Sequence, residues 1–142
     1  MTKEIATAFG RGLPISTKQS VEICNFIRYK TVEESKKLLE GVIKGKIAVP
    51  FKRYNKNVGH RKGKIASGRF PMKASEYILK LVKNAEANAK NLGLGTPLII
   101  SEAMANIGVR NWHPGRIRRI KTKRTHIKLA VKESKKKKES KK

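Results

Sequence analysis

The chain has 142 residues, enough for one domain and too few for two large ones. It carries 35 Lys and Arg against 10 acids, a formal net charge of +25, and every acid is Glu, so chemistry built on Asp is excluded. Hydrophobic residues make up 38%, below the roughly 45–50% of ordinary globular proteins, so the core must be small, and a chain this basic attracts polyanions, RNA or DNA before an anionic membrane.

A lone cysteine, Cys24, closes no intramolecular disulfide and no Cys-based metal cage, which suits a reducing compartment. The first ten residues lack the apolar region of a secretory signal, and no apolar run approaches the ~20 residues that span a bilayer. A soluble cytoplasmic chain is expected.

Residues 3–9, KEIATAF, read as a short strand with Ile5, Thr7 and Phe9 on one face, ended by Gly10, Gly12 and Pro14. Ser16 is a suitable N-cap, and Gln19 stands at capping-box spacing. A first helix is predicted over about 18–27, with Val21, Cys24 and Ile27 facing inward and Ile15 as its staple. Cys24 reads as a small core residue rather than a nucleophile. Thr31 and Glu34 form a second capping-box pattern, opening a helix with an apolar stripe of Leu38, Leu39, Val42 and Ile43. Glu33 and Lys37 are an i,i+4 pair on its wet side, and Gly45 marks its end.

From 46 to 71 the periodicity is lost. The segment holds Phe51, Lys52, Arg53, Tyr54, His60, Arg61, Lys62, Lys64, Arg69 and Phe70, types that stack on bases or bind phosphate, and no acid lies between Glu40 and Glu76. A loop this long in a small domain is functional or disordered. Its aromatics favour a loop ordered by its partner.

Residues 72–92 carry the clearest helical pattern, with Ala74, Tyr77, Ile78, Leu81, Val82, Ala85, Ala89 and Leu92 at helical spacing. Pro71 suits the first position and Gly93 the C-terminal cap. LIISEAMANIG and THIKLAVKE then read as two strands around a basic excursion with one Trp and a Pro-Gly turn signal. No acid lies between Glu102 and Glu133, and such strands in water need a negative partner to be ordered. The final KESKKKKESKK is a charge run, expected to be a disordered electrostatic tether over 134–142.

No catalytic constellation is present. His60, His113 and His126 have no carboxylate close in sequence to orient them, and metal binding by them is a weak prospect. The glycines between 59 and 68 do not complete a P-loop, and GxSxG and HExxH are absent. Without an acid–base pair beside the basic loops, an enzyme acting on RNA is the weakest reading, and no cofactor is called for. What stands out is two acid-free segments, 41–75 and 103–132, each mixing Arg, Lys, Gly and aromatics. Arg forks bind phosphate bidentately, Lys adds point charges, and Tyr or Trp stacks on exposed bases. No helix-turn-helix, zinc-finger or bZIP pattern appears, so reading of duplex DNA is disfavoured against RNA shape. No aromatic run of the RRM type lies on a strand.

Three stretches carry a resemblance: LPISTKQSVEICNFIRYKTVEESKKLLEGVI, SGRFPMKASEYILKLVKNAEANAKNLGL, and LIISEAMANIG followed by THIKLAVKE. Together, over roughly 3–133, they resemble the universal large-subunit ribosomal protein family called L twenty-two, whose eukaryotic counterpart is L seventeen. VPFKRYNKNVGHRKGKIASGRFP resembles the insertion of its archaeal and eukaryotic members. The resemblance implies an α+β domain, three helices packed on a small antiparallel sheet, with a long β-hairpin over about 104–126, somewhat shorter than in common members. It implies a cytoplasmic, ribosomal, non-enzymatic protein that binds several domains of large-subunit rRNA, helps assembly and touches neighbouring ribosomal proteins, with no DNA and no membrane partner. The hairpin would line the polypeptide exit tunnel and so meet nascent chains.

The residues expected on rRNA are Lys52, Arg53, Tyr54, His60, Arg61, Lys62, Lys64 and Arg69 in the inserted loop. In the hairpin they are Arg110, Trp112, His113, Arg116, Arg118, Arg119, Lys121, Lys123 and Arg124. Arg118 and Arg119, adjacent on a strand, would point to opposite faces. Arg110, Asn111, Trp112, His113, Pro114, Gly115 and Arg116 would form the tunnel-facing tip. A free RNA-binding protein or RNA chaperone is the competing reading, separated by whether the chain sediments at one copy per large subunit in high salt.

Overall fold

A computed structural model describes residues 5–134. Three strands form one antiparallel sheet in the order β1 (Ala6–Leu13), β5 (Thr125–Glu133), β4 (Leu98–Ile107). Helices α1 (Thr17–Ile27) and α3 (Met72–Asn91) pack on one face of it, and α2 (Val32–Ile43) packs against α3. The α+β architecture and the three helices are as expected. Ile23, Ile27, Leu39, Ile78, Val82, Ile100, Ile127, Leu129 and Val131 are fully buried between these layers.

The first strand departs from expectation. It continues through Gly10 and Gly12 to Leu13, and its inward residues are Ala6, Ala8 and Gly10, leaving Phe9 on the outer face and Ile5 exposed before the strand begins. The cause is the closeness of α3. A Cβ on Gly10 would stand 2.8 Å from the Leu81 side chain and 2.9 Å from that of Leu13, so the strand passes close beneath that helix there. Lys3 and Glu4 of the expected strand lie outside the described residues.

Helix α1 begins at Thr17. Ser16 stands at its N-cap with extended backbone, but its side chain makes no capping bond, and the expected box with Gln19 does not form. The helix start is tied down by β5 instead: Thr125 Oγ1 donates to the Ile15 carbonyl at 2.9 Å and lies 2.9 Å from Thr17 Oγ1. Ile23, Cys24 and Ile27 face the core, with Glu22 buried beside them and Val21 only half-buried. Burial pushes the Cys24 thiol up to about 12, which keeps it protonated and inert at neutral pH.

Helix α2 opens on the expected capping box: Glu34 N–H donates to Thr31 Oγ1, and Thr31 N–H to the Glu34 carboxylate. Glu33 and Lys37 are both exposed, and the ion pair of this helix is between Lys36 and Glu86 of α3. The connection before α2 covers the free edge of β4: Tyr29 N–H donates to Ile100 O at 2.9 Å, and Ile100 N–H to Lys30 O at 3.0 Å. In α3, Pro71 sits at the N-cap rather than the first helical position, and Gly93 follows the end with φ +69°. Leu92 stands at the C-cap, past the last helical residue, and is exposed.

Between α2 and α3 the inserted segment is not structureless. Two short strands, β2 (Val49–Pro50) and β3 (Gly68–Arg69), pair antiparallel, and His60 bridges Ser67. The charge run expected over 134–142 falls, apart from Ser134, outside the described residues.

Candidate nucleic-acid interface

The insertion is anchored from inside. Glu22 is 1% exposed, and its carboxylate accepts three successive backbone N–H groups, from Lys52 at 3.2 Å, Arg53 at 2.8 Å and Tyr54 at 2.7 Å. A buried carboxylate costs several kcal/mol of desolvation, which charge-assisted bonds to otherwise orphaned amides offset. The geometry curls residues 52–54 around the carboxylate and turns the Lys52 and Arg53 side chains to solvent. Residues 52–54 are therefore anchored by the protein itself, within a segment whose composition favours a loop ordered by its partner.

Its aromatics sit between the core and the cations. Phe51 is buried in the core and Tyr54 packs against it, so neither is a free stacking surface. They back cations instead. Arg53 and Lys18 lie 5.4 and 5.7 Å from the Tyr54 ring centre, Arg69 lies 6.0 Å from that of Phe51, and Arg61 5.3 Å from that of Phe70. Arg61 is further held by its Nε–H on Gly68 O at 3.2 Å. Lys52, Arg53, His60, Arg61, Lys62, Lys64 and Arg69 are all exposed. The insertion is thus a cationic surface in which the guanidinium groups of Arg53, Arg61 and Arg69 each lie over a ring.

The hairpin is built by cross-strand pairing. The register of β4 and β5 runs from Leu98↔Glu133 to Ile107↔Thr125, with a bulge between Ile100 and Glu102. Pairing continues beyond the strands: Gly108 N–H donates to Arg124 O, Thr122 N–H to Asn111 O, and His113 N–H to Ile120 O, at 2.8–2.9 Å. Trp112 bridges Lys121, whose ammonium sits 4.3 Å from the indole centre. The turn itself is a single 3-10 turn over Gly115–Ile117, entered through Gly115 at φ +70°.

Arg110, Asn111, Trp112, Pro114, Gly115, Arg116, Arg118, Arg119, Lys121 and Lys123 are exposed, and His113 and Arg124 are half-buried. Arg118 and Arg119 lie in the turn after the 3-10 segment, not on a strand, so the expected alternation between two faces does not hold. Arg118 Nε–H donates to Gly115 O at 3.2 Å and closes the turn. Val109, Trp112, Ile117 and Ile120 stand out among these cations, with Val109 82% and Trp112 59% exposed. Apolar side chains left in water on an arm without a core are surfaces made to be covered.

Sequence reasoning missed Glu22, Lys18, Arg11, Phe9 and His126. Glu22 is the one acid in α1, which is a weak signal, and its partners lie 30–32 residues away. Phe9, with Arg11 over its ring, meets His126 only through the β1–β5 pairing.

The sequence matches the family described as Ribosomal protein L22p/L17e over residues 8–132. It is similar to the large ribosomal subunit protein uL22 of Archaeoglobus fulgidus, 50% identical over 106 residues that cover 72% of this chain and 68% of the other. The uL22 of Methanosphaera stadtmanae is 48% identical over 141 residues, covering 93% and 91% of the two chains. That of Nanoarchaeum equitans is 40% identical over 141 residues, covering 94% and 81%.

Proposed function

The chain belongs to the ribosomal protein L22p/L17e family, and from that premise we propose that it works in the large ribosomal subunit by binding rRNA through its insertion and its hairpin arm. It is a structural constituent of the large subunit, not an enzyme, and its partners are rRNA and neighbouring ribosomal proteins. The observation that carries the binding mode is the exposure of nearly every cation in two acid-free regions attached to one core. A surface with no carboxylate to neutralise it releases counterions when it meets phosphate, which makes binding strong and steeply dependent on salt.

The two regions take different parts. The insertion, presenting Lys52, Arg53, His60, Arg61, Lys62, Lys64 and Arg69 from a backbone anchored on Glu22, docks on a preformed RNA surface. The arm, from Arg110 to Arg124, reaches between RNA segments of more than one rRNA domain and becomes ordered there. Its tip, Arg110 to Arg116, lines the exit tunnel and meets the nascent chain. The exposed Val109, Trp112, Ile117 and Ile120 support this reading, since an arm that served only phosphates would have no use for them.

Sucrose-gradient sedimentation in high salt with quantitative mass spectrometry tests it. One copy per large subunit is expected, and Arg118→Glu is expected to lower that occupancy. A chain that stays at the top of the gradient, or spreads over all RNA, would instead be a free RNA binder. Cross-linking of stalled nascent chains to residues 110–116 tests the tunnel assignment.

A further inference from the structure

The outer face of the sheet, opposite the helices, carries Phe9 and Arg11, which neither basic region includes, beside His126 and Arg124 at the root of the arm. Phe9 is 53% exposed on β1, and the Arg11 guanidinium lies 5.4 Å from its ring centre. His126 on β5 lies nearly parallel to Phe9, with ring centres 6.2 Å apart and planes at 16°. Backbone bonds hold this group in place. Gly12 N–H donates to His126 Nδ1 at 3.1 Å, and Arg124 Nη1 donates to Gly12 O at 3.2 Å. Gly12 has φ +59° and lies where the β1–β5 register shifts.

The surroundings are cationic. Phe9 stands opposite Lys128 in the ladder, and Glu102, the acid that shares this face by register, is paired with Lys128 at 3.2 Å. Just before β5, Arg124 at the root of the arm reaches the same place through its bond to Gly12 O.

We propose that Phe9 and Arg11 form a stacking site for a single unpaired nucleobase of the bound rRNA, the base lying on the Phe9 ring and Arg11 taking its phosphate. The proposal rests on the rRNA-binding reading above. Single-stranded bases are recognised by stacking on aromatic rings and guanidinium planes held on a rigid scaffold, and here a sheet supplies the scaffold. A protein neighbour covering Phe9 would have to neutralise Arg11 and the nearby Arg124 at the same place, whereas the phosphates of RNA do so without further provision. Arg124, bonded to Gly12 O at the root of the arm, stands beside the site and supplies a further cation for the strand.

The test uses the full chain and deproteinised large-subunit rRNA. Phe9→Leu is expected to weaken binding about five- to a hundredfold, the range for loss of one base–aromatic stack, with an unchanged salt slope because no charge is lost. Arg11→Ala is expected to lower the slope by about one, and Phe9→Tyr to bind as the parent does. Melting temperatures of the variants show that the fold is intact. In assembled subunits, ultraviolet cross-linking should leave a nucleotide adduct on the tryptic peptide spanning 4–11. Parent-like binding by Phe9→Leu, or a cross-link from this peptide to a protein in place of a nucleotide, overturns the site. If Arg118→Glu weakens rRNA binding while Phe9→Leu does not, the site fails and the rRNA reading stands. If the parent chain itself does not bind rRNA, both fail.

Discussion

The insertion and the hairpin tip have nearly the same composition and opposite physics. Both are free of acids, rich in Arg and Lys, and punctuated by Gly and aromatics. The insertion is stapled to the core by the Glu22 carboxylate, by buried Val49 and Phe51, and by rings that back Arg53, Arg61 and Arg69. Beyond Gly108 the tip has no buried residue until Thr125, and is held by cross-strand backbone bonds and one Lys121–Trp112 contact. A segment that carries its own internal acceptor is organised before it binds, and loses little conformational entropy on docking. A segment without one is an arm whose shape is completed by what surrounds it.

The largest expected effect comes from removing the staple. Glu22→Ala leaves three amides without their acceptor and should cost on the order of 3 kcal/mol or more in chemical denaturation, together with faster amide exchange at 52–54. Amide exchange unchanged at those residues would show that the insertion is held by its aromatics alone. Reversing charge at the tip should do the opposite. Arg118→Glu and Arg119→Glu are expected to leave stability within about 0.5 kcal/mol, as surface changes do, while each lowers the salt slope of rRNA binding by about one unit or more.

Trp112, the one Trp of the chain, reports the tip directly. Its fluorescence should be that of a solvated indole in the free protein and change on rRNA binding. Trp112→Ala should cost no more than about 1 kcal/mol of stability, the scale of an exposed cation–π pair. A strongly blue-shifted indole in the free chain would mean that the tip is already covered.

The smallest effect is a control on the core that both regions share. The hydrogen bond from Lys36 holds the Glu86 carboxyl below its ordinary range, with further help from the charges of Lys36 and Lys90. The stability this provides is fully present above the unfolded carboxylate pKa and is lost as pH falls through the lowered folded value. Lys36→Met should flatten that acid-side slope and leave the insertion and the tip untouched, as seen by denaturation across the acid range.

Local rules carried the sequence reading far where local contacts decide. The capping box of Thr31 and Glu34, the helical spacing through α3, and the alternation of Ile127, Leu129 and Val131 all reappear in the structure. They are set by hydrogen bonds and side-chain spacing within a few residues. The reading failed where a distant element imposed its own geometry. Ser16 stood at the right place for a cap, but the start of α1 is fastened by Thr125, far along the chain. Ile5, Thr7 and Phe9 share a face, as their spacing predicts, but which face of β1 looks outward is set by the packing of α3, whose Leu81 stands 2.8 Å from where a Cβ on Gly10 would be.

The charge, the two acid-free stretches, the order of helices and strands, and the family itself were determined by the sequence alone, since composition and short-range periodicity survive any arrangement in space. Which of the two basic stretches is rigid was decided only by the fold. The deciding residue is one glutamate on α1, and neither its burial nor its three amide partners can be read from spacing, because a buried charge is stable only where the chain returns to meet it. The Phe9–His126 pair has the same origin: two rings 117 positions apart become neighbours because β1 and β5 pair antiparallel.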